Sequence, residues 1–310
     1  MLLRPAALLA LAGFISGCAA DPFRAVSHAG IPAAIELADT PFFPQEDFQC
    51  GPAALATVLV DSGVTVHPDE LTPRVYLPQR QGSLQPELLA ATRHYDRIPY
   101  VIPPEFSALL AEVSQGRPVL VLQNLGVEAF PAWHYAVVVG YAREQREVIL
   151  RSGIDERRVT SAATFARTWR RGGNWGLTAL RAGDLPATND SSGYLRALAA
   201  TESAGRVDLT EPSYRAAAKR WPDSSIAWLG LGNSAYARGE QDAAERMYRR
   251  ALEVDSGNAA ALNNLASTIA EQGRCDEAQQ LLTAAMALPN LHDRMADVLL
   301  QSRAEIGDCR

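Results

Sequence analysis

Apolar positions along this chain change their spacing twice. "CGPAALATVLV", residues 50 to 60, is a near-continuous apolar stretch of helical length. "SLQPELLAATRHYD" (Ser83 to Asp96) opens on a serine start signal and spaces Leu84, Leu88 and Ala91 along a helical face. "PPEFSALLAEVSQG" (Pro103 to Gly116) begins with proline and closes with glycine, as helices do. The period then shortens. "RPVLVLQNL" (Arg117 to Leu125), "HYAVVVGY" (His134 to Tyr141) and "REVILRS" (Arg146 to Ser152) are β-branched runs of strand length, and "GLTALRA" (Gly176 to Ala182) is a weaker fourth. The second and third are separated only by a polar turn near Arg143 to Gln145, which predicts a hairpin. "GDLPATNDSSG" (Gly183 to Gly193) is rich in turn formers, and beyond it the signals return to helix.

That second helical region repeats itself at an offset of 34 residues. Trp228 recurs as Leu262, Leu231 as Leu265, Gly232 as Ala266, Gly239 as Gly273, Ala244 as Ala278, Tyr248 as Leu282 and Ala251 as Ala285. Period and small/large pattern resemble the tetratricopeptide repeat. A degenerate copy precedes these, with Gly205 in its turn, Tyr214 and Ala217 in its second helix and Pro222 closing it. About three repeats are needed, because no single helix pair buries its apolar face. "LHDRMADVLLQSRAEIG" then reads as a capping helix.

A chain of 310 residues with 47% apolar and 21% charged residues has room for two globular cores. A net charge of −6 and a pI near 5.5 lack the basic footprint of phosphate binding, so nucleic acid is not an expected partner. The N-terminus changes the picture further. Arg4, the apolar run "PAALLALAGFIS" and the sequence "ISGC" resemble a bacterial lipoprotein signal, with Cys18 as the acylated residue. The apolar run is too short to span a bilayer. The alternative is an ordinary signal peptide followed by chance by a cysteine. Ala19 and Ala20, with no aspartate after Cys18, favour the outer membrane over the inner by that resemblance. A lipid-anchored protein facing the periplasm is expected. The periplasm is oxidising, so of Cys18, Cys50, Cys275 and Cys309 the last two could pair, leaving Cys50 as a lone thiol.

A thiol attacks a carbonyl as thiolate, and its ordinary pKa of about 8.5 must be lowered by a helix N-terminus or a neighbouring imidazole. Cys50, followed by Gly51 and Pro52, is placed for the first effect; the plainer alternative is a buried structural cysteine. His134 opens an apolar strand that would hold it rigidly. His28, His67, His94 and His292 sit in contexts that need no chemistry. A helical cysteine followed far downstream by a strand histidine is the order of papain-like enzymes, whose imidazole takes the thiol proton and returns it to the leaving amine.

Together "PQEDFQCGPAALATVL", "SLQPELLAATRHY", "GRPVLVLQNLG" and "WHYAVVVGYAREQREVILRSG" resemble the bacteriocin-leader-processing, double-glycine type of cysteine peptidase over residues 40 to 180 or so. The resemblance implies Cys50 as nucleophile, His134 as general base, and Gln45 as an oxyanion-hole donor beside the backbone N–H of Cys50. It also implies a carboxylate orienting the imidazole, and here the chain departs, carrying "LRSGIDERR". Ser152 aligns best with the family's aspartate but carries no charge. Asp155 is charged but lies beyond a glycine, and Asn174 is a third candidate by analogy with papain's asparagine.

The expected organisation is a signal peptide (1–17), a lipid-anchored tether (18–36), an α+β papain-like cysteine peptidase domain of helices and antiparallel sheet (37–182), a linker (183–192), tetratricopeptide repeats (193–290) and a cap (291–310). No cofactor or metal is expected, since no pair of His or Cys has zinc-site spacing and no glycine-rich phosphate loop follows a strand. Trp133, Trp169 and Trp175 are split between cleft and core, with core packing expected for at least two. The favoured function is peptide-bond cleavage in an exported or periplasmic protein, with the repeats recruiting substrate or a protein partner. A non-catalytic adaptor and a thioester-forming acyltransferase are the alternatives.

Overall fold

A computed structural model of the chain describes residues 21–26, 30–44, 49–289 and 291–307. Cys18, Gln45 and Cys309 lie outside the described residues. The four strand-period runs join three shorter segments in one sheet: β1 (Ala34–Glu36), β2 (Ile98–Val101), β3 (Val119–Asn124), β4 (Trp133–Ala142), β5 (Glu147–Ser152), β6 (Asp155–Ser161) and β7 (Gly176–Leu180). The strand order is β2-β7-β3-β4-β5-β6, antiparallel throughout. β1 pairs with the far end of β4, matching Ile35 with Tyr141 and Glu36 with Gly140. A Cβ on Gly140 would lie 2.6 Å from the Ile35 carbonyl oxygen, so glycine permits this close third neighbour.

β3 and β4 read as continuous apolar runs because both faces of the sheet are covered. On one face Tyr135, Val137 and Val139 pack against α1 (Cys50–Asp61), α2 (Pro68–Val75) and α3 (Gln85–His94), through Leu55, Leu59, Leu71 and Leu88. On the other, Ala136 and Val138 meet α4 (Phe106–Ser114) and α5 (Ala162–Arg171), through Leu109, Val113, Phe165 and Trp169. α1 is buried from Gly51 to Leu59, and its alanines let it lie close against the sheet. Each of its fully buried leucines contributes about 1.5–3 kcal/mol.

One expectation is corrected. Residues 21–26 and 30–36 are not a free tether: Phe23 and Val26, in and after a 3₁₀ turn (Pro22–Ala25), are buried in the α4/α5 core, and β1 is hydrogen-bonded into the sheet. Phe23 meets the Phe106 ring edge-on at 5.2 Å between centroids, and Glu36 takes a two-pronged ion pair from Arg157. The apolar positions that dock this segment are too sparse to show a period. Asp155 begins β6, an edge strand whose "DERRVTS" sequence is nearly all exposed. Charges on an edge strand discourage pairing with other chains, and they also hide the strand from a search for apolar alternation.

Beyond β7 the chain is all helical: α6 (Ser191–Glu202), α7 (Val207–Arg220), α8 (Ser225–Ala237), α9 (Gln241–Val254), α10 (Ala259–Glu271), α11 (Cys275–Met286) and α12 (Asp293–Gly307). Gly230 and Gly232 of α8 touch the rings of Tyr214 and Tyr248, close helix contacts that any Cβ would break. Cys275 is disulfide-bonded. Among the described residues no helix is long and apolar enough to cross a membrane.

The repeats are fused to the sheet, not strung behind it. Tyr194, Leu198 and Tyr214 share one core with Tyr100, Val121 and Val138. The connecting segment is clamped: wholly buried Glu112 pairs with Arg117 at 2.6 Å and accepts from the Ala187 N–H at 2.8 Å, while Arg220 donates to the carbonyls of Pro186 and Thr188. Glu112→Ala, which strands the Arg117 charge and the Ala187 N–H, is expected to lower unfolding free energy by ~3 kcal/mol, read from denaturant midpoints with unchanged m-value.

Candidate active site

Cys50 is the first residue of α1, and His134 is the second of β4. Because α1 packs on β4, the helix start and the strand start meet at one end of the sheet. Cys50, Ser83, Trp133, His134, Tyr135, Gly153 and Gly172 line a single cleft there of about 910 Å³. Backbone N–H groups of Tyr135, Gly51 and Cys50 favour the thiolate, but burial is the larger effect and raises the thiol above its ordinary pKa. The lowering expected from the helix N-terminus is therefore outweighed in the resting site.

His134 Nε2 lies 2.9 Å from Ser152 Oγ, and the tautomer decides which donates. Ser152 is buried at the end of β5. Burial pushes the imidazole pKa down to about 4, and the Arg158 guanidinium on β6 adds to the drop. At neutral pH the site therefore rests as neutral thiol and neutral imidazole. Asp155 pairs across the strands with Ser152, yet its side chain is exposed and its nearest cation is Arg158 at 4.0 Å. Asn174 holds a left-handed backbone (φ 52°) and donates to the Pro104 carbonyl, as part of the turn into β7. Of the three candidate orienting residues, Ser152 is the one the fold brings to the imidazole.

Trp133 lines the cleft and is 57% exposed, Trp169 is fully buried with its indole N–H on the Trp175 carbonyl, and Trp175 packs edge-on against Tyr135. Sequence reading missed Ser83. Its Oγ is buried without a hydrogen-bond partner, and a Cβ at Gly51 would lie 2.2 Å from it. The residue after the thiol must therefore be glycine for α1 to start where it does. The only cue was the Gly51-Pro52 pair itself.

The profile of the Peptidase_C39 like family matches residues 37–176, and that of the tetratricopeptide repeat matches 194–245 and 233–290. The sheet domain is thus similar to C39-like peptidases and the helical region to tetratricopeptide repeats. Among solved structures it is similar to a protein described as a C39-like peptidase of Bacillus anthracis: 16% identity, TM-score 0.41, covering 48% of this chain and 98% of that one. Another is the Yersinia enterocolitica type III secretion chaperone SycD in complex with a peptide of the translocator YopD: 18% identity, TM-score 0.33, covering 38% and 95%. A curated relative, the STIP1 homolog of Dictyostelium discoideum, is 38% identical over 73 residues, which span 24% of this chain and 13% of that protein.

Two outcomes are expected of the C39-like domain. Gly51→Ala should cost about 1–3 kcal/mol of stability by overpacking, and Ser83→Gly in the same chain should recover most of it, a coupling read from a double-mutant cycle. His134 should titrate by NMR near pH 4. Its folded pKa lies below the unfolded value of about 6.5, so the unfolded state binds the proton first. The stability this confers is present above pH ~6.5 and lost as pH falls towards 4, a slope that His134→Gln should abolish.

Proposed function

We propose that the chain is a cysteine peptidase, with Cys50 as nucleophile and His134 as general base. The observation that carries this reading is that a helix-start thiol and a strand-start imidazole, 84 positions apart in "C50…H134", open on one cleft with the ring oriented by Ser152. With the proton on Nε2, Ser152 accepts it and Nδ1 is left as the basic nitrogen. As Cys50 Sγ attacks the substrate carbonyl carbon, its proton passes to the imidazole. The oxyanion is taken by the Cys50 backbone N–H and, by the family resemblance, the Gln45 side chain. The imidazolium then protonates the amine as the C–N bond breaks, leaving a thioester. Water, deprotonated by the same imidazole, releases the acid and restores the thiol.

The neutral resting pair makes proton transfer part of the attack, not a preceding ionisation. Ser152 fixes the ring but supplies no negative charge to the imidazolium, which gives a slower peptidase than one with a carboxylate. The same observation favours a second reading, an adaptor that retains the fold with little chemistry. In the peptidase reading the chain is anchored through Cys18 at the periplasmic side of the outer membrane. The repeats recruit the substrate protein or a partner, as such arrays generally bind proteins.

Labelling by a peptidyl aldehyde across pH tests this. Cys50→Ala should abolish it, and His134→Ala should slow it by about 10²–10⁴. Ser152→Asp should raise the His134 pKa and quicken labelling near neutrality, whereas Asp155→Ala should leave it unchanged. Labelling at the rate of a free thiol, indifferent to His134, would leave the adaptor.

A further inference from the structure

Five large apolar side chains stand in water around the mouth of this cleft. Leu125, Val127 and Phe130 belong to the loop between β3 and β4, with Phe130 80% exposed, and Trp133 opens β4 directly after it; Ile154, 82% exposed, sits in the turn between β5 and β6. Both connections lie at the sheet end that holds His134 and Ser152. The cleft wall includes Trp133, at the end of the first connection, and Gly153, in the second. Exposed apolar groups gathered at one place mark an interaction site.

The longer loop is built to hold its side chains out. Asn124, buried to 3% exposure, accepts through Oδ1 from the N–H groups of Gly126 at 3.0 Å and Ala132 at 2.9 Å. Leu125 N–H bonds the Ala132 carbonyl, Val127 and Phe130 bridge one another, and Arg171 donates to the Gly126 carbonyl. A Cβ at Gly126 would lie 2.3 Å from the Phe130 carbonyl oxygen, so the turn tolerates only glycine. The apolar tips are thus fixed in water and cannot fold back onto the domain, the arrangement that lowers the ordering cost of binding. Among the described residues the cleft wall also carries Arg80 and Arg171.

We propose that these two lips are the specificity element of the peptidase: they receive an extended peptide segment of the substrate protein that bears a bulky apolar side chain beside the bond attacked. The proposal rests on the peptidase reading above. A peptide fits better than a bilayer because Trp133 belongs to both the exposed apolar group and the cleft lining.

The test uses the full chain and a pool of random decapeptides. Retention is first measured on Cys50→Ala, where no turnover interferes. Peptides carrying Phe, Leu, Ile or Trp should be enriched, and adding Phe130→Ser with Trp133→Ser, or Ile154→Ser alone, should weaken their retention about 10-fold. With Cys50 present, the cut sites in the same pool should fall within about three residues of such a side chain. The lip variants should then raise KM more than they lower kcat. Retention indifferent to the lip variants would overturn the proposal. So would binding of the chain to phosphatidylethanolamine–phosphatidylglycerol vesicles that depends on Phe130 and Trp133 with no peptide enrichment, since the lips would then face lipid. Lip-dependent retention without any cutting would keep the lips and sink the peptidase reading instead.

Discussion

Burial of α1 along β4 is the contact on which the remaining chemistry depends. Nine consecutive residues of the helix are out of water, and small side chains among them bring its axis close to the sheet. Once that packing is set, the first residue of the helix must project at the end of the sheet where β4 begins, and the Tyr135 backbone reaches the sulfur. Gly51 and Ser83 set how far the helix can extend in that direction, because any side chain at 51 would enter the space of the hydroxyl. The position of Cys50 is therefore a product of hydrophobic packing first and polar contact second.

The same burial creates an electrostatic tension. Removing the thiol and the imidazole from water disfavours both charged forms, and among the described residues the Arg158 guanidinium adds to the effect on the ring. Each neutral form is retained, so the site stores no thiolate. In the peptidase reading, charge appearing during attack would be met by the backbone N–H groups of Tyr135, Gly51 and Cys50, already fixed by the fold.

Much of this was legible in the chain. The runs at Arg117 to Leu125, His134 to Tyr141 and Arg146 to Ser152 became β3, β4 and β5, because strands covered on both faces show unbroken apolar sequence. The 34-residue offset exposed α8 to α11, since repeated packing needs repeated small residues. Cys50 and His134 stood out through their neighbours. What was hidden has physical reasons: β6 is a charged edge, α5 follows it without a break, and Phe23 and Ile35 dock a short segment with no period to read. Ser152 was distinguished from Asp155 only by the fold, because a bulge between Leu150 and Ser152 decides which side chain turns toward the imidazole.

The shared core of Tyr194, Tyr214 and the sheet has a geometric corollary. An array hung on a pliable connector would sample many separations from the cleft, and a chain bound to it could be presented at many points along its length. Here the repeats and Cys50 ride on one packed body, so their separation is a constant of the molecule. In the peptidase reading proposed above, a substrate held by the array would meet Cys50 at a distance along its own chain set by that packed separation and not by a linker, so the array would act as a gauge of position.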